Sequence, residues 1–153
     1  MKELGFLYKS LGFTNVQTYI QSGNVIFECA EADLASLVVT IESGIKQKFG
    51  YDVSVLVTTP KKLRKIIDNN PYDENKIALT FLFETPKHIP WEELNLEKDG
   101  TEQFEISDDV IYFNGPQGYG RTKLSNNFFE KKLKVIATTR NSNTINRLLA
   151  LSE

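Results

Sequence analysis

One segment of this chain concentrates the residue types that bind anions. Residues 115–147 hold seven Lys or Arg and one acid, Glu130, whereas residues 1–114 hold eleven Lys or Arg and eighteen Asp or Glu. The same segment contains three of the four arginines, and its glycines precede a predicted helix. Backbone N–H groups at a helix start and guanidinium groups both bind phosphate or carboxylate oxygens. The segment is therefore the first candidate for a ligand site.

The glycines of this segment come close to a nucleotide phosphate-binding loop. Gly115, Gly120 and Thr122 fit the pattern G-x-x-x-x-G-K-[ST], but Arg121 stands where that loop has Lys. Residues 123–153 are too few for the parallel strands of such a fold, and no later strand ends in an acid that could hold magnesium. We predict a site for one anion at most. The alternative is that the glycines only form a tight turn.

Two kinds of side chain are candidates to contact that anion, cationic ones and neutral hydrogen-bonding ones. The predicted ligand-binding residues are Gly120, Arg121, Lys123, Ser125, Asn126, Thr139, Arg140 and Asn141. For both arginines, an ion pair within the protein, for instance with Glu130, is the alternative. The lysines at 131, 132 and 134 are interpreted as solvated cations at a helix C-terminus, where positive charge is favourable.

No catalytic or metal-binding set stands out in the sequence. His88 is the single histidine and Cys29 the single cysteine, and a zinc site needs several such ligands. Ser125 has no evident base nearby in the sequence, so no nucleophilic triad is predicted. We therefore predict no metal and no cofactor, and the sequence leaves open whether the protein is an enzyme.

Composition indicates an ordinary globular protein. The 153 residues are 41% hydrophobic and 25% charged, which suits one domain or two small ones. One cysteine cannot form an intrachain disulfide, and no signal peptide or membrane-spanning run is evident, so we expect a cytoplasmic protein. The net charge of −2 argues against non-specific coating of DNA but allows a local basic site.

Periodicity predicts an α+β fold whose first part has the order α-β-β-α-β. The predicted elements are a helix that ends at Gly12, strands Asn15–Ile20 and Val25–Phe27, a helix Glu31–Phe49 and a strand Val53–Thr58. Between the first two strands, Gln21–Asn24 is predicted to turn with positive φ at Gly23 or Asn24. With one strand in front, this order would be the ferredoxin-like pattern. We therefore predict a ferredoxin-like subdomain over residues 1–70 that lacks its first strand.

The second part, residues 71–153, is predicted to be a smaller α+β subdomain that carries the Gly/Arg-rich segment. Pro60 should open a helix over Lys61–Asp68, and residues 69–75 form the predicted linker. The elements predicted beyond it are a strand Lys76–Glu84, one helical turn at Trp91, a hairpin of Phe104–Ile106 and Val110–Phe113, a helix Leu124–Leu133, a strand Val135–Thr138 and a last helix through Leu151.

Three motifs of this chain resemble the bacterial domain-of-unknown-function family 1697. They are Thr18–Phe27, Gly120–Glu130 and Ala137–Asn141. Members of that family usually begin with one more strand and a glycine-containing loop, and usually carry an aromatic residue where this chain has Ser142. The resemblance implies a fold and a choice of motifs. It implies no activity.

Three hypotheses about function follow. The first is a module that binds an anionic ligand, such as a nucleotide, a phosphorylated metabolite or a short nucleic acid, through residues 118–141. The second is an enzyme of unknown reaction that uses Arg121, Ser125 and Arg140, whose side chains would then have to converge in one pocket. The third is an interaction protein that pairs through an open sheet edge, for instance as a homodimer, and no membrane partner is expected.

Overall fold

The computed structural model of the protein describes residues 2–19, 23–30, 33–72, 77–98, 100–115 and 122–152. The α+β prediction is confirmed, since helices are combined with two antiparallel sheets. The chain forms two compact units, one of Met1–Lys62 with Leu148–Glu153 and one of Leu63–Arg147. The sequence-based division at residues 70 and 71 stays a prediction, and the predicted linker residues 73–75 lie outside the described part.

The first unit begins with two helices and a hairpin between them. Its elements are α1 (Lys2–Ser10), β1 (Thr14–Tyr19), β2 (Asn24–Glu28) and α2 (Leu34–Phe49). Gly23 has a φ of 81°, which confirms the positive φ predicted for the turn, whereas Gln21 and Ser22 lie outside the described residues. Asp33 caps α2 by accepting the N–H of Ala35, and Gly50 ends the helix with a left-handed φ of 79°.

The predicted strand Val53–Thr58 is wrong. Residues 51–59 are not part of any strand, although Val55 and Val57 are half-buried against the core of the first unit. The N–H of Val55 donates to a side chain, Oε1 of Glu42, at 3.0 Å. Alternation of apolar residues secures burial, but a strand also requires a neighbouring backbone to pair with. The ferredoxin-like arrangement stays a prediction, because the described part of this unit has two paired strands only.

Aromatic residues dominate the core of the first unit. The rings of Phe13 and Phe27 stack with centroids 4.6 Å apart, and Tyr8 meets Phe27 edge-on at 5.3 Å. α2 covers this cluster with Leu37, Ile41 and Ile45. The periodic apolar positions of both helices therefore face the hairpin, as their spacing indicates.

The second unit is organised around a four-stranded antiparallel sheet in the order β4-β5-β3-β6. The remaining elements of the chain are α3 (Pro60–Asp68), β3 (Ala78–Leu82), α4 (Trp91–Glu97), β4 (Gln103–Ser107), β5 (Val110–Asn114), α5 (Asn126–Leu133), β6 (Ala137–Asn141) and α6 (Ser142–Ser152). The single turn predicted at Trp91 is a longer helix, α4. The strand predicted at Val135–Thr138 instead begins at Ala137.

The two faces of this sheet pack against different helices. Ala78 and Leu82 of β3 and Ala137 of β6 join a core with Phe129 and Leu133 of α5, which defines the α5 face. On the opposite face, Oη of Tyr112 donates to the carbonyl of Ile66 in α3 at 2.8 Å, which defines the α3 face. All five residues of β3 are buried, as expected of a central strand covered on both faces.

None of the described helices is both long enough and apolar enough to cross a membrane. Among the described residues, no three His, Cys, Asp or Glu side chains come together as a metal site would require.

Candidate anion-binding site

The start of α5 is assembled by two hydroxyl groups. Oγ1 of Thr122 accepts the N–H of Leu124 at 3.0 Å, and Oγ of Ser125 accepts the N–H of Phe128 at 3.2 Å. Ser125 is thus the N-cap, and the helix begins at Asn126, two positions after the predicted Leu124. Leu124 is fully buried and anchors the segment in the core below. These local bonds hold the first turn in one conformation.

Asn126 ties the helix start to strand β6. Its Nδ2 donates to the carbonyl of Ala137 at 3.0 Å, and its Oδ1 accepts the hydroxyl of Thr139 at 2.8 Å. The Oγ1 atoms of Thr139 and Thr80 are also 2.8 Å apart, so the chain of hydrogen bonds continues into β3. The structure therefore brings together three of the predicted site residues, but it engages their side chains in structural bonds.

Glu130 has a structural partner as well. Its Oε2 accepts the N–H of Ala137 at 2.9 Å, which adds a second tie between α5 and β6. Asn141 caps the following helix, because its Oδ1 accepts the N–H of Thr144 at 2.8 Å. Ser142 is buried and accepts the N–H of Ile77 at 3.2 Å.

Arg140 lies on the other face of the sheet from Thr139. Successive residues of a strand point to opposite faces, and Thr139 occupies the α5 face. Arg140 is aligned with Leu79 of β3, which in turn pairs with Tyr112, so it belongs to the α3 face. Its Nη1 donates to Oγ1 of Thr138 at 2.8 Å and to the carbonyl of Thr139 at 2.9 Å. Burial lowers the pKa of the half-buried guanidinium below its ordinary value.

The predicted ligand-binding residues therefore fall into separate groups. Ser125, Asn126 and Thr139 are close together. Lys123 is exposed and lies two positions before Ser125 in the chain. Arg140 and Asn141 are directed elsewhere. Gly120 and Arg121 lie outside the described residues. An enzyme that combined Ser125 with Arg140 would have to work across the sheet, because α5 and Arg140 occupy its opposite faces.

What remains available for an anion is the backbone of the first turn of α5. The N–H of Phe129 donates to the carbonyl of Ser125, and the N–H groups of Asn126 and Asn127 precede it at the helix start. The first turn of α5 contains no acidic residue, so the positive end of the helix dipole is uncompensated by its own side chains. The geometry suits a single phosphate or carboxylate group.

The structure also contains a concave region that no sequence motif indicates. A pocket of about 420 Å³ lies at the C-terminal end of α5 and includes His88 and three lysines. Its two walls come from segments more than forty positions apart in the chain, around Lys87 and around Lys134. No local spacing indicates such a pairing.

Comparison with known proteins identifies a family but no activity. Residues 1–112 match the family described as "Protein of unknown function (DUF1697)". Among solved structures, the conserved bacterial protein SP0830 from Streptococcus pneumoniae is similar, with a TM-score of 0.67 and 19% identity over 100% of this chain and 88% of that one. At this identity the likeness concerns the fold alone. No curated protein matches the sequence. The start of α5 lies beyond the matched residues.

Proposed function

We propose that this chain, which belongs to the DUF1697 family of proteins of unknown function, binds a small anionic ligand at the start of α5. The ligand is a phosphorylated or carboxylated small molecule, or a short nucleic acid that presents one phosphate. The contacts are the N–H groups of Asn126 and Asn127 and the ammonium group of Lys123. Because the family has no assigned activity, the proposal depends on the residues of this chain.

The observation that carries the proposal is the completed N-cap of α5. The hydroxyl of Ser125 accepts the N–H of Phe128, and the carbonyl of Ser125 accepts the N–H of Phe129. The N–H groups of Asn126 and Asn127 make no hydrogen bond to any of the residues that the structure describes. Two such donors at the positive end of a helix, without an acid in the first turn, attract an anion.

The surroundings hold these donors in place before a ligand arrives. The side chain of Asn126 is fixed by two hydrogen bonds to β6, and Leu124 is buried. A turn that is already ordered loses little conformational entropy when it binds. Lys123 is exposed and adds a positive charge beside the turn. Gly120 and Arg121 would precede this site in the chain, and their part in it stays a prediction.

Substitution of the N-cap tests the proposal with matched variants. Ser125→Asp and Ser125→Asn have similar shapes and both cap helices well, so both should fold with near wild-type stability. Only Asp places a carboxylate where the anion would bind. In titrations with inorganic phosphate followed by ¹⁵N-resolved NMR, the amides of Asn126 and Asn127 should shift in the Asn variant and not in the Asp variant. Equal responses in both variants, or none in the wild type beyond a chloride control, would refute the site.

Two further predictions are independent of anion binding. We propose a cytoplasmic location, which the single cysteine, Cys29, supports because it suits a reducing compartment. Pairing through an open sheet edge, as a homodimer or with a partner strand, stays an alternative function that light scattering at increasing concentration would test.

A further inference from the structure

We propose a second anion site in the pocket at the opposite end of α5, where the phosphate group of a small phosphorylated molecule binds. The pocket has a volume of about 420 Å³, within the range of small-molecule sites. Its lining residues are Glu84, Thr85, Lys87, His88, Lys132, Leu133, Lys134 and Val135. The site does not depend on the proposed function at the start of α5.

Two segments of the chain build the pocket and are fixed to each other. One follows β3, and the other connects α5 to β6. The N–H of Phe83 donates to the carbonyl of Ile136 at 2.8 Å, which joins the two segments next to lining residues Glu84 and Val135. Leu133 and Val135 are buried and supply an apolar floor, whereas Lys87 and Lys134 are exposed at the rim. An apolar floor with a charged rim suits a ligand that has an organic body and an ionic group.

The charge of the pocket selects an anion. Three lysines face one carboxylate, that of Glu84, so the lining is positive even when His88 is neutral. Lys132 also approaches Oε2 of Glu93 at 3.5 Å, but both side chains are partly exposed and such pairs are weak. Glu93 does not line the pocket, and counting it still leaves three lysines against two carboxylates. Lysine binds phosphate as a point charge, and several lysines together suit a dianion.

The backbone conformation of Lys134 independently supports a ligand contact in this pocket. It is the C-cap of α5 with a φ of 58° and a ψ of 40°, and its N–H donates to the carbonyl of Glu130. Glycine or asparagine usually occupies this left-handed position, because a larger side chain is strained there. A cation to complement the helix dipole is already provided by Lys131 and Lys132 in the last turn. A ligand contact accounts for a third lysine at the strained position.

Replacement of Lys134 by glycine removes the positive charge without lowering the stability of the fold. Lys134→Gly removes the strain, so Tm should stay the same or rise by about 2 °C. Lys87→Ala removes a charge from the other wall. Each variant should weaken binding of phenyl phosphate about threefold, the effect of one exposed charge pair. Lys131→Ala is the matched control, because Lys131 is an exposed cation of the same helix end that does not line the pocket.

Titrations with inorganic phosphate and with phenyl phosphate, followed by NMR of the backbone amides, test the proposed pocket site. We expect shifts at His88, Val135 and their neighbours, tighter binding of phenyl phosphate than of phosphate because of the apolar floor, and retention of both in Lys131→Ala. Equal weakening in all three lysine variants would mean general charge screening and would overturn the proposal. Shifts confined to Asn126 and Asn127 would also overturn it, while leaving the site at the start of α5 intact.

Discussion

The hydroxyl of Thr80 donates a hydrogen bond to the hydroxyl of Thr139 across strands β3 and β6. The two Oγ1 atoms are 2.8 Å apart, and the single proton of Thr139 is already directed to Oδ1 of Asn126. A hydroxyl has one proton to donate, so Thr80 must be the donor of the first bond. Thr80 is completely buried, and this bond satisfies its polar group. The relay fixes the start of α5 to the centre of the sheet.

Thr139→Val should destabilise the protein by about 1–3 kcal/mol, because it leaves the buried Thr80 hydroxyl without its acceptor and Oδ1 of half-buried Asn126 without its donor. Urea unfolding of the variant measures the loss. Thr80→Val/Thr139→Val removes both hydroxyls, and its loss should be smaller than the sum of the two single losses. Strictly additive losses would show that the two hydroxyls do not interact.

Gly115→Ala should destabilise the protein by about 1–3 kcal/mol through overpacking. A Cβ atom at this position would lie 2.7 Å from Cζ and 2.9 Å from Cε1 of the buried Phe113 ring. Gly100→Ala is the control, because its added Cβ would meet no atom within 4 Å. Thermal unfolding should separate the two variants. A Gly115→Ala protein as stable as the control would mean that the Phe113 ring moves without cost.

Stability should fall between pH 10 and pH 12, partly because of Tyr8. Burial raises the pKa of Tyr8 from 10.0 to about 12 in the folded protein. A raised folded-state pKa contributes stability that is complete below pH 10 and is lost as the pH rises to 12, about 3 kcal/mol for this group. Tyr8→Phe keeps the ring contacts and removes the titration, so its alkaline unfolding midpoint should move to higher pH.

The control for Tyr8 is Tyr51→Phe, since Tyr51 is 67% exposed. It should leave the alkaline midpoint where the wild type has it. Burial, and then the charge of Glu105, raise the pKa of Tyr72 from 10.0 to about 12 as well. Some alkaline loss should therefore persist in Tyr8→Phe. An unchanged midpoint in that variant would contradict the assigned role of Tyr8.

Arg140→Gln should leave phosphate binding at the start of α5 unchanged within about twofold, a change of less than about 0.5 kcal/mol. The reason is that Arg140 occupies the α3 face, whereas Asn126 is bound to Thr139 on the α5 face. Chemical shifts of the Asn126 and Asn127 amides during a phosphate titration test this. Loss of those shifts in a folded variant would place the guanidinium in the site after all.

Local features were predictable because their causes lie within a few residues. Gly50 ends α2 in the left-handed conformation, Pro60 begins α3, and Gly23 turns the first hairpin. Each depends on a side chain and its nearest backbone neighbours, which the sequence lists directly. The strand predicted at Val53–Thr58 failed for the opposite reason. Its alternation is real, but the partner backbone that makes a strand is not encoded locally.

The same distinction between local and tertiary causes applies to the predicted anion-site residues. The residue types in 115–147, their excess of positive charge and the helix that follows the glycines were determined by the sequence itself. Tertiary structure decided that Asn126 and Thr139 bind each other, that Arg140 points away from them, and that Lys87 and Lys134 share a pocket. Propensities and caps act over about one helical turn, whereas strand pairing and sheet faces join residues that only folding brings together.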